Sequence, residues 1–430
     1  MESLQLTNMR QLIAILARFM PIDAGGSVFS INSNEKKAAR QRSRIVVQTF
    51  HPRGASHPHL TSKDDGKQTR FAMLHDNIHL PPRPPAPELS EARRPISKAE
   101  AETIAEQLYG KRGSAKRFET EKDDTFFLDC GENGQFVLKV AHPSESLDEL
   151  DFQVALMRHV ELRAPALPTP RIFGDLQGQF LPVVTTSGAE RRVVRLISFI
   201  RGTPLDKTNS TAAQRVCVGE LLAKLRNAMA DFSHPADGRE LAWDVTHLLK
   251  LSDMLDHVPN DERRAWVKTA LDRFAEIKPG LNRCRRQVLH NDFNTSNLVV
   301  DHSNPQFVNG IIDFGDAVRT AIAVDVSTAL MNQMPKQLDD TNRQDLFLEP
   351  RDVLRGYLRH ADLEHEELLL IPFLAMGRLA VRALLTCWRA QLFPENRSYI
   401  LRHTQAGWAH LRWFNNLSTN QISDLLTGRI

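Results

Sequence analysis

The chain has 430 residues, of which 41% are hydrophobic and 25% charged, with a net charge of +3. That is the make-up of an ordinary soluble globular protein with room for two or three packed units. No run approaches the ~20 uninterrupted apolar residues of a membrane span, since Leu368 to Met376 is short, contains Pro372 and lies between Glu367 and Arg378. The four cysteines (Cys130, Cys217, Cys284 and Cys387) lie far apart with no C-x-x-C pair. They exclude a disulfide framework and a zinc site, and suit a reducing cytosol.

Residues 1–94 read as an extension. Thr7 to Met20 has the apolar spacing of one amphipathic helix, while residues 24–90 read as mostly disordered linker, closing in Pro81-Pro82-Arg83-Pro84-Pro85-Ala86-Pro87, which favours extended polyproline geometry. No A-x-A-like cleavage site follows the helix, so it does not read as a targeting peptide; Met73 is an alternative start. Residues 1–90 carry twelve Lys/Arg against seven Asp/Glu, or +5, which leaves about −2 for the rest. The basic character therefore belongs to the extension. It lacks the aromatic interleaving or sustained amphipathic face that nucleic-acid or membrane binding prefers, and neither partner is expected.

From residue 95 the pattern is that of a folded domain. Ser97 and Glu100 form a capping-box signature for a helix that runs to Leu108 and stops at Gly110. Phe126 to Leu128 and Gln135 to Val140 read as paired strands, Asp148 to His159 as a helix, and Val193 to Ile200 as a further strand. Beyond Thr211 the helical period dominates, at 211–232, 261–277, 351–360, 364–392 (with a break expected near Pro372) and 398–417. The expected fold class is α+β and bilobal: a small β-rich N-lobe with one helix over 95–202, and a large, mainly helical C-lobe over 203–430.

The chemistry is concentrated in His290-Asn291-Asp292-Phe293-Asn294-Thr295-Ser296-Asn297, followed sixteen residues later by Asp313-Phe314-Gly315-Asp316. Gln306 to Val308, a turn at Asn309-Gly310 and Ile311-Ile312 read as a hairpin that delivers Asp313. Phosphoryl transfer from a nucleotide needs this set. One Asp takes the proton of the attacking hydroxyl, while an Asn and a second Asp hold the magnesium that bridges the phosphates. The pattern resembles the H-R-D-L-x-x-x-N and D-F-G pair of protein kinases. Asn291 replaces the Arg that reads a phosphorylated activation loop, which points to the small-molecule branch, the aminoglycoside phosphotransferase and choline kinase-like enzymes.

The resemblance implies a protein kinase-like fold in which Lys139, within Phe136-Val137-Leu138-Lys139-Val140, reaches the nucleotide phosphates. The helix glutamate that partners this lysine in protein kinases is replaced by Gln153, with Glu149 and Asp151 nearby. There is no G-x-G-x-x-G; Thr120 to Thr125 takes its place, and Thr125 is a candidate phosphate contact or an ordinary turn residue. Arg195 to Gly202 reads as the strand and hinge between lobes, with main chain around Ser198 to Ile200 facing the base. Asp292 is then the catalytic base and Asn297 and Asp313 the metal ligands. His290, Asp316 and Asp325 are supporting residues, Asp316 as a cap or a further metal ligand. Arg378, Arg382 and Trp388 are candidates for acceptor binding.

Val194 to Leu205, Gly219 to Leu225, Phe232 to Pro235 and above all Gln391-Leu392-Phe393-Pro394-Glu395-Asn396-Arg397-Ser398-Tyr399 with Gly407-Trp408 resemble the hydroxylysine kinase family, over roughly 95–420. That family implies a cytoplasmic kinase with GTP as donor and 5-hydroxylysine as acceptor; the residues do not distinguish GTP from ATP, and Mg2+ and a monomer are expected. An aminoglycoside, homoserine, choline or a sugar as acceptor stays open, as does a nucleotide-binding pseudokinase.

Overall fold

The computed structural model describes residues 95–118, 120, 123–336 and 345–427. The extension, its helix at 7–20 and the linker therefore lie outside the described residues.

The first described element is helix α1 (Lys98–Tyr109), which begins where the Ser97 side chain accepts the Glu100 N–H, and ends at Gly110, left-handed at φ 63°. The reciprocal half of the capping box is not made. The Glu100 carboxylate instead accepts the backbone N–H and hydroxyl of Ser187. An antiparallel sheet follows: β1 (Ser114–Arg117), β2 (Asp124–Asp129), β3 (Gln135–Val140), β4 (Ile172–Phe173), β5 (Val183–Thr185) and β6 (Arg191–Ser198). Its order is β1-β2-β3-β6-β4, with β5 also on β6. Along β3, Phe136, Leu138 and Val140 point into a core shared with α1, so Lys139 points to the other face, as a period of two requires.

Helix α2 (Leu147–Arg163) lies between β3 and β4 in the chain but buries Phe152, Leu156, Met157 and Val160 in the larger core of the C-terminal half. That half carries α3 (Ala212–Ala228), α4 (Asp261–Leu281), α5 (Ile322–Asn332), α6 (Pro350–Tyr357), α7 (His365–Leu392), α8 (Arg397–Leu401), α9 (Thr404–Asn415) and α10 (Thr419–Thr427), with a 3-10 run at Val245–His257. The α7 helix passes Pro372 without breaking, contrary to the expected interruption. It is long and apolar enough to cross a membrane, but 83% of its most apolar stretch is buried by its neighbours. That packing on every side outweighs the ~3 kcal/mol a mid-helix proline costs. The expected helix over 398–417 is instead split into α8 and α9.

Helices α3 and α6 meet at two glycines. A Cβ on Gly219 would lie 1.8 Å from the Val353 carbonyl oxygen, and one on Gly356 2.0 Å from that of Val216.

Two small ladders complete the C-terminal half. Strand β8 (Arg286–Leu289) pairs with β11 (Val318–Ala321), and β9 (Leu298–Val300) lies between β7 (Thr203–Pro204) and β10 (Val308–Ile311). Asn309-Gly310 is thus not a turn. It lies inside β10 at a register shift, and Gly310 is required because a Cβ there would come within 2.6 Å of the Ile200 side chain.

Candidate active site

The two ladders explain how residues far apart in sequence meet. Leu289 pairs with Val318, which places His290 beside the segment that follows Asp313. Leu298 pairs with Ile311, and the Ile312 N–H donates to the Asn297 carbonyl at 2.9 Å, which places Asn297 beside Asp313. Between these clamps the loop is held by its own polar side chains. Asn294 Oδ1 accepts from Ser296 N at 2.8 Å and Asn297 N at 3.1 Å, and the Asn291 N–H donates to Asp325 Oδ1 at 2.8 Å. Asn291 and Asp313 both adopt left-handed backbone, at φ 59° and 64°. Asn and Asp tolerate that region better than other side chains with a Cβ.

Asp292, Asn297, Asp313, Lys139, Thr125 and Asp316 all line one cleft of about 490 Å³. Asp292 is held at both oxygens: Arg378 Nη2 donates to Oδ1 at 3.2 Å and Asn297 Nδ2 to Oδ2 at 2.8 Å. Burial raises its pKa, against the pull of Arg378. Asp313 is half exposed to the cleft and lies 3.4 Å from Lys139 Nζ. The lysine charge holds its carboxyl below the usual carboxylate range. His290 is fully buried, its Nε2–H donating to the Ile312 carbonyl at 3.1 Å, and burial depresses its pKa so that it is a neutral tie between the two halves of the site. Asp325 is also buried, with its pKa pushed up to about 7 by desolvation.

Lys139 has Asp313, not Gln153, as its ionic partner. Gln153 instead accepts from Arg195 and donates to Glu145 at 3.2 Å, while Arg195 pairs with Asp123 at 2.8 Å. Thr125 pairs with Lys139 across β2 and β3, and its buried hydroxyl makes no hydrogen bond among the described residues.

Three expected placements change. Trp388 packs in the large core away from the cleft, and Trp243 takes the aromatic position on the cleft wall. Ser198 spends its N–H and hydroxyl on Arg171, at 2.8 and 2.9 Å, which leaves Ile200 as the hinge residue whose backbone groups make no hydrogen bond among the described residues. Asp316 does not act as a cap: the turn over 314–316 is capped by the Asp313 carboxylate, which accepts the Gly315 N–H. The Asp316 carboxyl faces the cleft, pushed up to about 7 by burial and by Asp292.

Arg239 left no trace in any motif. Its guanidinium donates to the Gly315 and Ala317 carbonyls, lies 3.5 Å from Glu149 of α2 and sits 5.4 Å from the centre of the Phe152 ring. It secures the segment just after Asp313.

Asn297 donates its amide nitrogen to Asp292, its Oδ1 accepts no hydrogen bond among the described residues, and it lines the same cleft as the half-exposed Asp313 carboxylate. Two hard oxygens of this kind fit a magnesium ion, which is commonly held by one or two protein groups plus phosphates. Among the described residues no cluster of three or more His, Cys, Asp or Glu side chains is placed to hold a metal alone. The donor set therefore suits a cation that arrives with a nucleotide.

The phosphotransferase enzyme family matches the chain over residues 115–363, more than half its length. The chain belongs to this family. Hydroxylysine kinase of Mus musculus is 22% identical to this phosphotransferase over 360 residues, covering 78% of this chain and 94% of that one. Hydroxylysine kinase of Xenopus laevis is 24% identical over 361 residues with the same coverage. A homoserine kinase of Rhodopseudomonas palustris (strain BisA53) is 27% identical over 274 residues, covering 61% of this chain and 75% of its own. Among solved structures, a microcompartment-associated aminopropanol kinase superposes with a TM-score of 0.58 at 19% identity, over 75% of this chain and 98% of its own. An amicoumacin kinase in complex with AMP-PNP and Ca2+ does so at 0.56 and 13%, over 74% and 95%. These superpositions show the kinase-like α+β fold. The protein is a small-molecule phosphotransferase with an alcohol acceptor.

Proposed function

We propose that this phosphotransferase transfers the γ-phosphate of ATP or GTP to the hydroxyl of a small hydroxy-amino acid, 5-hydroxylysine first. The carrying observation is the convergence of Asp292, Asn297 and Asp313 with Lys139 across one cleft. The two hydroxylysine kinases, matched over 94% of their own length, supply the acceptor.

Asp292 serves as the base. Arg378 and Asn297 fix both its oxygens, so the carboxylate meets the acceptor hydroxyl in one orientation, and the pKa raised by burial makes it a better proton acceptor than a free aspartate. Lys139 steadies the donor phosphates, exchanging its contact with Asp313 for them. Asn297 Oδ1 and the Asp313 carboxylate would hold Mg2+, which when bound would supply charge to offset that developing on the transferred group. His290 and Asp325 keep the loop in shape through Ile312 and Asn291. The Ile200 main chain faces the base. Four cysteines without disulfides support a reducing, cytosolic setting.

The test is nucleoside-diphosphate release by the purified full-length chain, with ATP and GTP in parallel. The acceptor panel is 5-hydroxylysine, homoserine, choline, an aminoglycoside and a hexose. The expected outcome is the highest kcat/KM with 5-hydroxylysine. A higher value with another acceptor replaces the substrate, and release unaffected by every acceptor rejects the reading.

A further inference from the structure

Most deeply buried guanidinium groups in this molecule face a carboxylate partner. Arg192 lies 3.0 Å from Asp124, Arg195 2.8 Å from Asp123, Arg215 2.7 Å from Asp352 and Arg351 2.7 Å from Asp345. That is the ordinary state of a buried charge, because an unpaired one is costly. The wall of the catalytic cleft beyond Asp292 departs from it.

Arg378, Arg382 and Arg402 all line that wall, with Tyr399 and Trp243. Arg378 is only 5% exposed, and although its Nη2 reaches Asp292, its Nη1 has no hydrogen-bond partner among the described residues. Arg382 makes one long hydrogen bond, 3.4 Å to Asn332 Oδ1, and has no ionic partner among the described residues. Burial and the like charge of Arg378 push its pKa down to about 10. Arg402 stacks on the Tyr399 ring at 3.6 Å and bonds the Tyr399 carbonyl and His403, again without an anion among the described residues. Of these three guanidinium groups only Arg378 bonds a carboxylate in the cleft, and that carboxylate, Asp292, is the one the reaction needs free for a proton. The same cleft holds one carboxylate, Asp316, to which no hydrogen bond is made among the described residues. Tyr399 lies on α8 and Arg402 just after it, between α8 and α9, and both line the cleft.

We propose that Arg382, Arg402 and the free edge of Arg378 bind a carboxylate on the acceptor while Asp316 receives its ammonium, so the site selects a zwitterion over a polycation or a simple amino alcohol. This rests on the phosphotransferase reading and deepens it. Planar guanidinium groups present paired donors that match a carboxylate. The bound anion relieves the repulsion among the three cations. A polycation such as an aminoglycoside meets like charge there and is rejected, which is discrimination by repulsion as well as by attraction.

The experiment is calorimetric titration of the full-length chain, loaded with Mg-ADP, with two matched pairs. One is 5-hydroxylysine against 1,5-diaminopentan-2-ol, the other homoserine against 3-aminopropan-1-ol; within each pair only the carboxylate differs. The acid of the pair that fits is expected to bind roughly 100-fold more tightly than its amine, the scale on which a site built for a charged partner rejects an analogue lacking it. Arg382→Gln and Arg402→Gln should bring that ratio toward one at unchanged Mg-ADP affinity, and Arg402 is exposed, so its substitution carries little folding risk. Asp316→Asn should weaken acid and amine together and leave the ratio alone. Equal binding of acid and amine, no binding of either acid, or a ratio unchanged in both arginine variants overturns the proposal. Carboxylate-selective binding without phosphorylation would reject the proposed function and leave this inference standing; phosphorylation of acid and amine at equal kcat/KM does the reverse.

Discussion

At the scale of single residues, the site is a small set of carboxylates whose surroundings drive them apart. Asp313 is kept ionised by Lys139, while burial pushes Asp292, Asp316 and Asp325 upward. Asp292→Asn keeps the shape and an oxygen for Arg378 but removes the base, so kcat should fall by about 10²–10⁴ with the circular dichroism spectrum unchanged. Near-normal turnover of the folded variant would exclude Asp292 as the base. Asp313→Ala should abolish measurable Mg-nucleotide binding in calorimetry, since it removes the only charged oxygen of the pair; unchanged affinity would remove it from the metal site. Asp325 carries a pH signature. Its folded pKa, about 7, lies above the ordinary 3.8, so between those values the folded protein holds a proton that the unfolded chain has released. Stability therefore falls as pH rises through this window. Asp325→Asn should flatten part of that slope in denaturant titrations at pH 5 and 8, leaving a share from Asp316; an unaltered slope would show that Asp325 is not its source. Much of this set was legible in sequence because one short loop and one strand carry it. Arg239, Trp243 and Arg402 were not, because they reach the cleft only through packing of elements distant in the chain.

At the scale of elements, sequence and structure differ where a local signal has two physical meanings. Asn309-Gly310 is a strong turn dipeptide, yet the glycine serves a close approach to Ile200 inside a strand. Trp388 lies on an apolar helix, but α7 is buried nearly all round and periodicity cannot name the face toward the cleft. Pro372 signals a break that tertiary packing overrides. The alternation along β3, by contrast, has one meaning, and it located Lys139. The crossing of α3 and α6 offers a direct check. Gly219→Ala forces the helix backbones apart and should cost about 1–3 kcal/mol in denaturant unfolding. Gly238→Ala, where nothing lies within 4 Å of the added Cβ, should be nearly neutral. Equal effects at the two positions would mean that the crossing tolerates expansion.

At the scale of the whole molecule, a chain starting at Glu91 keeps every described core residue from Ile96 onward. It should match the full chain in melting temperature and in turnover, because residues 24–90 offer too few clustered apolar side chains to offset an ordering cost of about 1–2 kcal/mol per residue. A melting temperature lower by several degrees would extend the folded enzyme into that region. The seat of α2 has a wider consequence. Protein kinases are switched by swinging the helix that partners the strand lysine in and out of place. Here that helix buries Phe152 and Leu156 in the large core, Arg239 fastens it through Glu149 to the segment behind Asp313, and the lysine looks to Asp313 instead of to the helix. The helix and the lysine are thus tied to different partners, so a swing of the helix would not carry the lysine with it and the switch that protein kinases use has no purchase here.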